Sequence, residues 1–254
     1  MQSNTFLGLI VGENIITLQR TNSTNDYLKY QLSNSAPYQE GTVIMAEEQF
    51  AGRGQMGSSW KSEPGKNLTF SILLNPSFLS PQQQFELNIA ISLGLIQALI
   101  PFLGKKVHIK WPNDIYVEDK KLGGILIENI FRGKMWKHAV IGIGLNVNQT
   151  TFPDLTKATS LQLSLQQTFD RQQLLKQLCA SIDAQYALLK NQKQTEQKKA
   201  YLQHLYRIGQ PCDFIIGGVR KTGKIINVNP SGQLEVSFEG KTEAFNSKEI
   251  EFVI

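Results

Sequence analysis

A chain of 254 residues, 41% of them hydrophobic and 19% charged, is long enough to bury a proper core as one large domain or as a large domain with a small companion. No run approaches 18 apolar residues and no cationic segment precedes an apolar one near the start, so neither a membrane span nor a secretory leader is expected, and the cytoplasm is the expected compartment. The net charge of +5 is dispersed: residues 207–254 balance six basic against six acidic side chains, Lys190, Lys193, Lys198 and Lys199 against Glu196 give +3, and the first 189 residues hold the remaining +2, so DNA binding is not expected.

Residues 21–32 predict a helix, with Thr21 or Ser23 as its N-cap and Asp26, three residues after Ser23, resembling a capping box. Strand-like runs follow at 42–46 and 68–74. Leu87, Ile91, Leu95, Leu99 and Phe102 then recur at helical spacing, which predicts a long helix over 85–103 that ends near Pro101 or Gly104 and covers one face of a sheet. Further strands at 107–110, 115–117, 124–130 and 139–147 make that sheet the core. Leu174, Leu178, Ile182, Tyr186 and Leu189 mark a second helix over 170–189, and a third runs through Tyr206. From Gly209 onward the texture changes to short runs at 214–216, 221–228, 233–238 and 241–250 between turn-forming pairs, which predicts a small barrel of about five strands. The boundary is expected near Arg207, dividing the chain into 1–206 and 207–254.

Residues 52–57, GRGQMG, match G-x-G-x-x-G, yet a polar stretch and then a strand follow where the dinucleotide fold needs a helix. The dinucleotide reading therefore fails. A glycine-rich loop carrying one arginine between two strands still offers backbone N–H groups and a guanidinium fork to a phosphate or carboxylate. In residues 110–124, KWPNDIYVEDKKLGG, strand alternation can bring Lys110 and Asp114 into one cleft, or Asn113 and Asp114 can simply cap a turn. Lys121 is either an ordinary hairpin lysine or a cation beside a glycine pair where backbone can approach a ligand. Asn146 can hydrogen-bond a purine edge or phosphate, or cap a turn, and Trp60 can stack on an adenine or act as a lid. Ser23, Thr24 and Asn25 suit capture of an acceptor group as well as capping. His108, His138, His204, Cys179 and Cys212 lack ligand spacing, so no metal site is expected, and no hydrolase elbow, Walker lysine or zincin motif occurs.

In chain order, STN at 23–25, Glu48 and Gln49 ahead of GRGQMG, Trp60, KWPND at 110–114, KKLGG at 120–124 and GIGLNVN at 142–148 resemble the biotin protein ligases. The resemblance implies an α+β, class II synthetase-like catalytic domain, a mixed and mainly antiparallel sheet with helices on one face, followed by an SH3-like β-barrel. It implies that biotin, ATP and Mg2+ are used to make biotinyl-5'-AMP, from which biotin passes to one lysine of a biotin carboxyl carrier protein; a homodimer is left open. It places Ser23, Thr24, Asn25, Gln49, Arg53, Gly54, Gln55, Lys121 and Gly124 around biotin, and Arg53, Trp60, Lys121 and Asn146 around ATP or the adenylate. Arg53, Lys110, Asp114 and Lys121 become the catalytic set, with Asp114 orienting or deprotonating the acceptor lysine. Two departures stand out. Many members carry arginines where this chain has Gln55 and Met56, and the chain begins almost at the catalytic domain, without room for the winged helix-turn-helix of repressor members, so operator binding is not expected. The rivals are a lipoate or octanoate ligase or transferase of the same fold and a non-enzymatic anion-binding module; KWPND followed by KLGG, with GRGQMG upstream, favours biotin.

Overall fold

A strand buried along its whole length must lie inside a sheet covered on both faces, and Leu68–Leu74 is buried at every position. The computed structural model describes residues 9–33, 38–153 and 155–254. In it this run is β3 of a seven-stranded sheet made with β1 (Ile15–Thr21), β2 (Val43–Gln49), β4 (Val107–Lys110), β5 (Asp114–Val117), β6 (Lys120–Arg132) and β7 (Met135–Leu145). The spatial order is β1-β2-β3-β7-β6-β5-β4. β1 runs parallel to β2, and the other neighbours are antiparallel. The expected mixed, mainly antiparallel sheet is present, with helices against it.

The helices lie on both faces, whereas one face was expected. Strand alternation sends Val43, Met45, Phe70, Ile72, Ile141 and Ile143 to one side, where α2 (Gln84–Leu103) and α4 (Arg171–Lys190) cover them. Ile44, Leu73 and Val140 point the other way and receive Leu28 of α1 (Thr24–Ser33). The cause is β1: two parallel strands cannot be joined by a tight turn, so the chain between them crosses over the sheet, and that crossover carries α1. Ser23 caps this helix, its Oγ accepting from Asp26 N at 3.4 Å. α2 is long and apolar enough by composition to cross a membrane, contrary to the expectation that no span occurs; most of it is buried within the fold, as a core helix.

α3 (Leu161–Leu165) and α5 (Gln194–Gln203) complete the larger part. After it, β8 (Pro211–Ile216), β9 (Val219–Val228), β10 (Leu234–Phe238), β11 (Lys241–Phe245) and β12 (Glu251–Phe252) form an antiparallel sheet in the order β11-β10-β9-β8-β12. Its hydrogen-bonded ladder is open, with β11 and β12 as edges. The run 241–250, expected as one strand, breaks where Glu249 accepts from both the backbone and side-chain nitrogens of Asn246 and Lys248 takes a φ of 72°. Several contacts tie this sheet to the larger part, two of them through side chains that donate to backbone carbonyls. Trp111 Nε1 donates to Gly232 O at 2.8 Å, and Lys198 Nζ donates to Val228 O.

α2 and α4 cross so closely that a Cβ on Gly94 would stand 2.7 Å from the Ile182 Cα. Alanine gains about 1 kcal/mol over glycine in helix propensity, while overpacking a rigid contact typically costs about 1–3 kcal/mol. Gly94→Ala is therefore expected to unfold at lower urea concentration than wild type with an unchanged m-value. An equal or higher midpoint would mean that the two helices separate without penalty.

Candidate active site

The hairpin between β4 and β5 sets the first charged pair. The chain turns through a cis Trp111–Pro112 peptide and places Lys110 opposite Asp114 in the strand register. β6 then brings Gly124 opposite Asp114, and Lys121 Nζ lies 2.7 Å from Asp114 Oδ1. A Cβ at Gly124 would sit 3.3 Å from that carboxylate oxygen and 3.6 Å from the Lys121 nitrogen, so the glycine keeps the space over the pair open. Lys110 is held between aromatic faces, 5.4 Å from the Tyr116 ring centroid and 4.7 Å from that of Phe252. Burial pushes its ammonium below the ordinary lysine value, against the pull of Asp114 and with help from Lys121 and Lys157. Burial, and then the Asp114 charge, push the neighbouring Tyr116 hydroxyl up to about 12.

The start of α1 supplies a wall of amides and hydroxyls. Gln49 Oε1 accepts from Thr24 N at 2.7 Å and from Thr24 Oγ1 at 3.0 Å, closing the helix terminus. Ser71 Oγ reaches both Thr24 Oγ1 and Asn25 Oδ1 at 2.6 Å, and Asn25 Nδ2 donates to Glu128 Oε2 at 2.8 Å. A Cβ on Gly142 would fall 2.6 Å from Asn25 Oδ1, so that strand position must lack a side chain for the helix to dock here. Glu128 also receives Lys29 Nζ at 2.7 Å. Burial alone would raise its carboxyl; hydrogen bonds from Lys29 and Asn25 and the charges of Lys29 and Arg53 outweigh it and hold the group below the usual range.

The glycine loop is folded back on itself. Trp60 N donates to Gly52 O at 2.9 Å and Gly54 N to Ser58 O at 2.7 Å, with Met56 (φ 50°) and Gly57 (φ 82°) making the left-handed turn. Arg53 Nη2 lies 2.7 Å from Asp26 Oδ1 and 2.7 Å from Glu128 Oε2. The Trp60 ring crosses β7 where a Cβ on Gly144 would meet it at 2.3 Å, and its buried Nε1–H has no partner among the described residues. Lys121 Nζ stands 5.9 Å from the Trp60 ring centroid, and Lys248 Nζ donates to Met56 O at 3.2 Å.

These pieces surround one cavity of about 370 Å³. Of the residues singled out in the sequence, Ser23, Thr24, Asn25, Gln49, Arg53, Gly54, Gln55, Trp60, Lys110, Asp114, Lys121 and Gly124 line it. Asn146 does not. It is buried behind the wall, its Nδ2 donating to Thr159 O at 2.9 Å, where it tethers the chain after β7. Sequence reasoning missed Ser247, Lys248, Ile250, Glu251 and Phe252, which bring the second sheet into the lining, and also Ser71 and Glu128 behind the amide wall. No cluster of three or more His, Cys, Asp or Glu side chains among the described residues is arranged to hold a metal ion. Four cations, Arg53, Lys110, Lys121 and Lys248, outnumber the two carboxylates, Asp114 and Glu251, and with the amide-rich wall they suit a ligand with anionic groups and a polar head.

A family model described as the biotin/lipoate A/B protein ligase family matches residues 17–146, just over half of the chain. The bifunctional ligase/repressor BirA of Bacillus spizizenii is 33% identical over 181 residues, 70% of this chain and 55% of that protein, so the chain spans about half the length of this relative. The biotin--[acetyl-CoA-carboxylase] ligase of Paracoccus denitrificans is 29% identical over 226 residues, 85% of this chain and 91% of its own. Among solved structures, a biotin protein ligase from Aquifex aeolicus in complex with biotin and ATP matches with a TM-score of 0.79 at 27% identity, over 95% of this chain and 99% of that one.

The half-buried Lys110 fixes the sign of a pH effect on stability. Its folded pKa lies below that of the unfolded chain, so between the two values the unfolded chain binds more protons and stability rises with pH. Lys110→Met, which removes the half-buried charge at similar volume, is expected to melt above wild type near neutral pH, with the gap shrinking as pH rises toward 10. A gap that is absent or grows with pH would contradict the stated environment of this lysine.

Proposed function

The chain belongs to the biotin/lipoate A/B protein ligase family, and from that premise we propose that it joins biotin to ATP and passes the biotinyl group to a lysine of a biotin carboxyl carrier protein. In the first step a biotin carboxylate oxygen attacks the α-phosphorus, the bond to the bridging oxygen breaks, and pyrophosphate leaves. In the second, the acceptor amine attacks the acyl carbonyl, loses a proton, and AMP leaves. Both steps gather negative charge, which is what Arg53, Lys110 and Lys121 offset. Their juxtaposition at one cavity against the Ser23, Thr24, Asn25 and Gln49 wall is the observation that carries the reading.

In this reading the amide wall takes the ureido head and Gly124 leaves room for it, while Gly54 and Gln55 lie over the bound acid. Trp60 faces the adenine, and Asp114 orients or deprotonates the incoming lysine. Asn146 would reach the nucleotide only if its tether to Thr159 opened. Magnesium would arrive on the triphosphate and neutralise it there, because the described residues offer no cage of their own. The second sheet is read as an SH3-like module closing on residues 207–254, a reading supported by Phe214 packing against both Phe238 and Phe252. Cytoplasmic location, a carrier-domain partner rather than DNA, and the division at residues 206 and 207 belong to the same proposal; sedimentation decides between monomer and homodimer.

The test is ATP–pyrophosphate exchange, run with biotin, with lipoate and with neither. Biotin-dependent exchange is expected. Lipoate-dependent exchange would favour the sister activity, and none would leave a binding module. Arg53→Ala is expected to slow biotin-dependent exchange by about 10²–10³, the scale for one preorganised donor. A near wild-type rate would remove Arg53 from the charge-stabilising set.

A further inference from the structure

The Arg53 guanidinium has only one nitrogen engaged. Nη2 makes both contacts, with Asp26 Oδ1 and Glu128 Oε2 at 2.7 Å each, and no hydrogen bond from its other nitrogens occurs among the described residues. The same two carboxylates are shared with a second cation: Lys29 Nζ lies 3.0 Å from that Asp26 oxygen and 2.7 Å from the other oxygen of Glu128. Two anions thus hold two cations, with no net charge left over. Glu128 is the fixed member. It is anchored by Asn25 as well as Lys29, and its side chain is 23% exposed against 40% for Arg53, which hangs from the glycine loop.

We propose that Asp26, Glu128 and Lys29 are positioning residues that form a charge-exchange clasp, holding Arg53 in the substrate-free site and releasing it to the triphosphate. The inference rests on the proposed adenylation. A phosphate oxygen pair satisfies the planar guanidinium fork, whereas the clasp uses a single nitrogen, so exchange toward a triphosphate is favourable. Pairs this exposed are weak, worth at most about a fivefold factor, which lets a substrate displace them. Lys29 tunes the hold, because it shares the Asp26 oxygen with Arg53 and draws on the same Glu128 carboxylate through its other oxygen.

This gives opposite signs for neighbouring variants. Asp26→Asn and Glu128→Gln, the latter keeping an oxygen for Asn25, are expected to lower the ATP concentration for half-maximal biotin-dependent pyrophosphate exchange by about two- to fivefold. Lys29→Gln is expected to raise it by a similar factor. All three effects should vanish in an Arg53→Ala background. Three shifts toward weaker ATP use would indicate a merely structural cluster, and shifts that persist without Arg53 would indicate a general field; either overturns the clasp. Calorimetric titration with ATP, which needs no turnover, should give the same ordering, and unchanged affinities would likewise overturn it. Absence of biotin-dependent exchange in the wild type would sink the proposed reaction alone.

Discussion

Like charges gathered around one cavity repel, and near a protein surface two unit charges a few ångströms apart interact with an energy on the order of a few kcal/mol. Arg53, Lys110 and Lys121 all line the same cavity, and the surrounding structure is arranged to make that tolerable. Asp114 sits against Lys121, aromatic faces cover Lys110, and Asp26 and Glu128 hold Arg53. Each of the three carboxylates comes from a different element. The strand register of β4, β5 and β6 supplies Asp114, α1 supplies Asp26, and the middle of β6 supplies Glu128. Charge balance of the site is thus a consequence of how the sheet is threaded.

Missing side chains matter as much as the charged ones. β7 passes beneath α1 and the glycine loop with Gly142 and Gly144 on the cavity side, and any Cβ there would overlap Asn25 or the Trp60 ring. With those two positions bare, an amide and an indole rest on the strand itself, beside the apolar lining residues Phe70, Ile125 and Ile143, and the glycine loop above them is polar.

Periodicity was enough to find the interior of the fold. β3 to β7 and the two long helices α2 and α4 announce themselves through strand-like apolar runs or a 3.6-residue stripe, because each is packed on at least one whole face. β1 was not legible: it is an edge strand, IITLQRT, half exposed, with polar residues where a central strand would have apolar ones. Missing it hid the crossover and hence the side on which α1 packs. The break at 246–249 is marked by two hydrogen bonds from Asn246 to the Glu249 carboxylate and a left-handed Lys248, which no pattern encodes. For the site, local motifs located the loops, and their residues do meet around one cavity. Asn146 shows the limit, since an asparagine at a strand end reads alike whether it faces a ligand or ties down a neighbouring segment.

The texture change near Arg207 does not coincide with an edge of the cavity. Phe252 lies over Lys110, and Lys248 reaches the Met56 carbonyl, so the part of the chain after Arg207 touches both the half-buried lysine and the glycine loop. The first contact falls on the lysine whose pKa burial holds down, and Phe252 of β12 is one of the two rings packed against it. A pattern that separates strands with close turns from the long helices before them is sensitive to chain texture alone. The cavity depends on which surfaces face one another, and here the last residues of the chain complete a wall begun more than a hundred residues earlier.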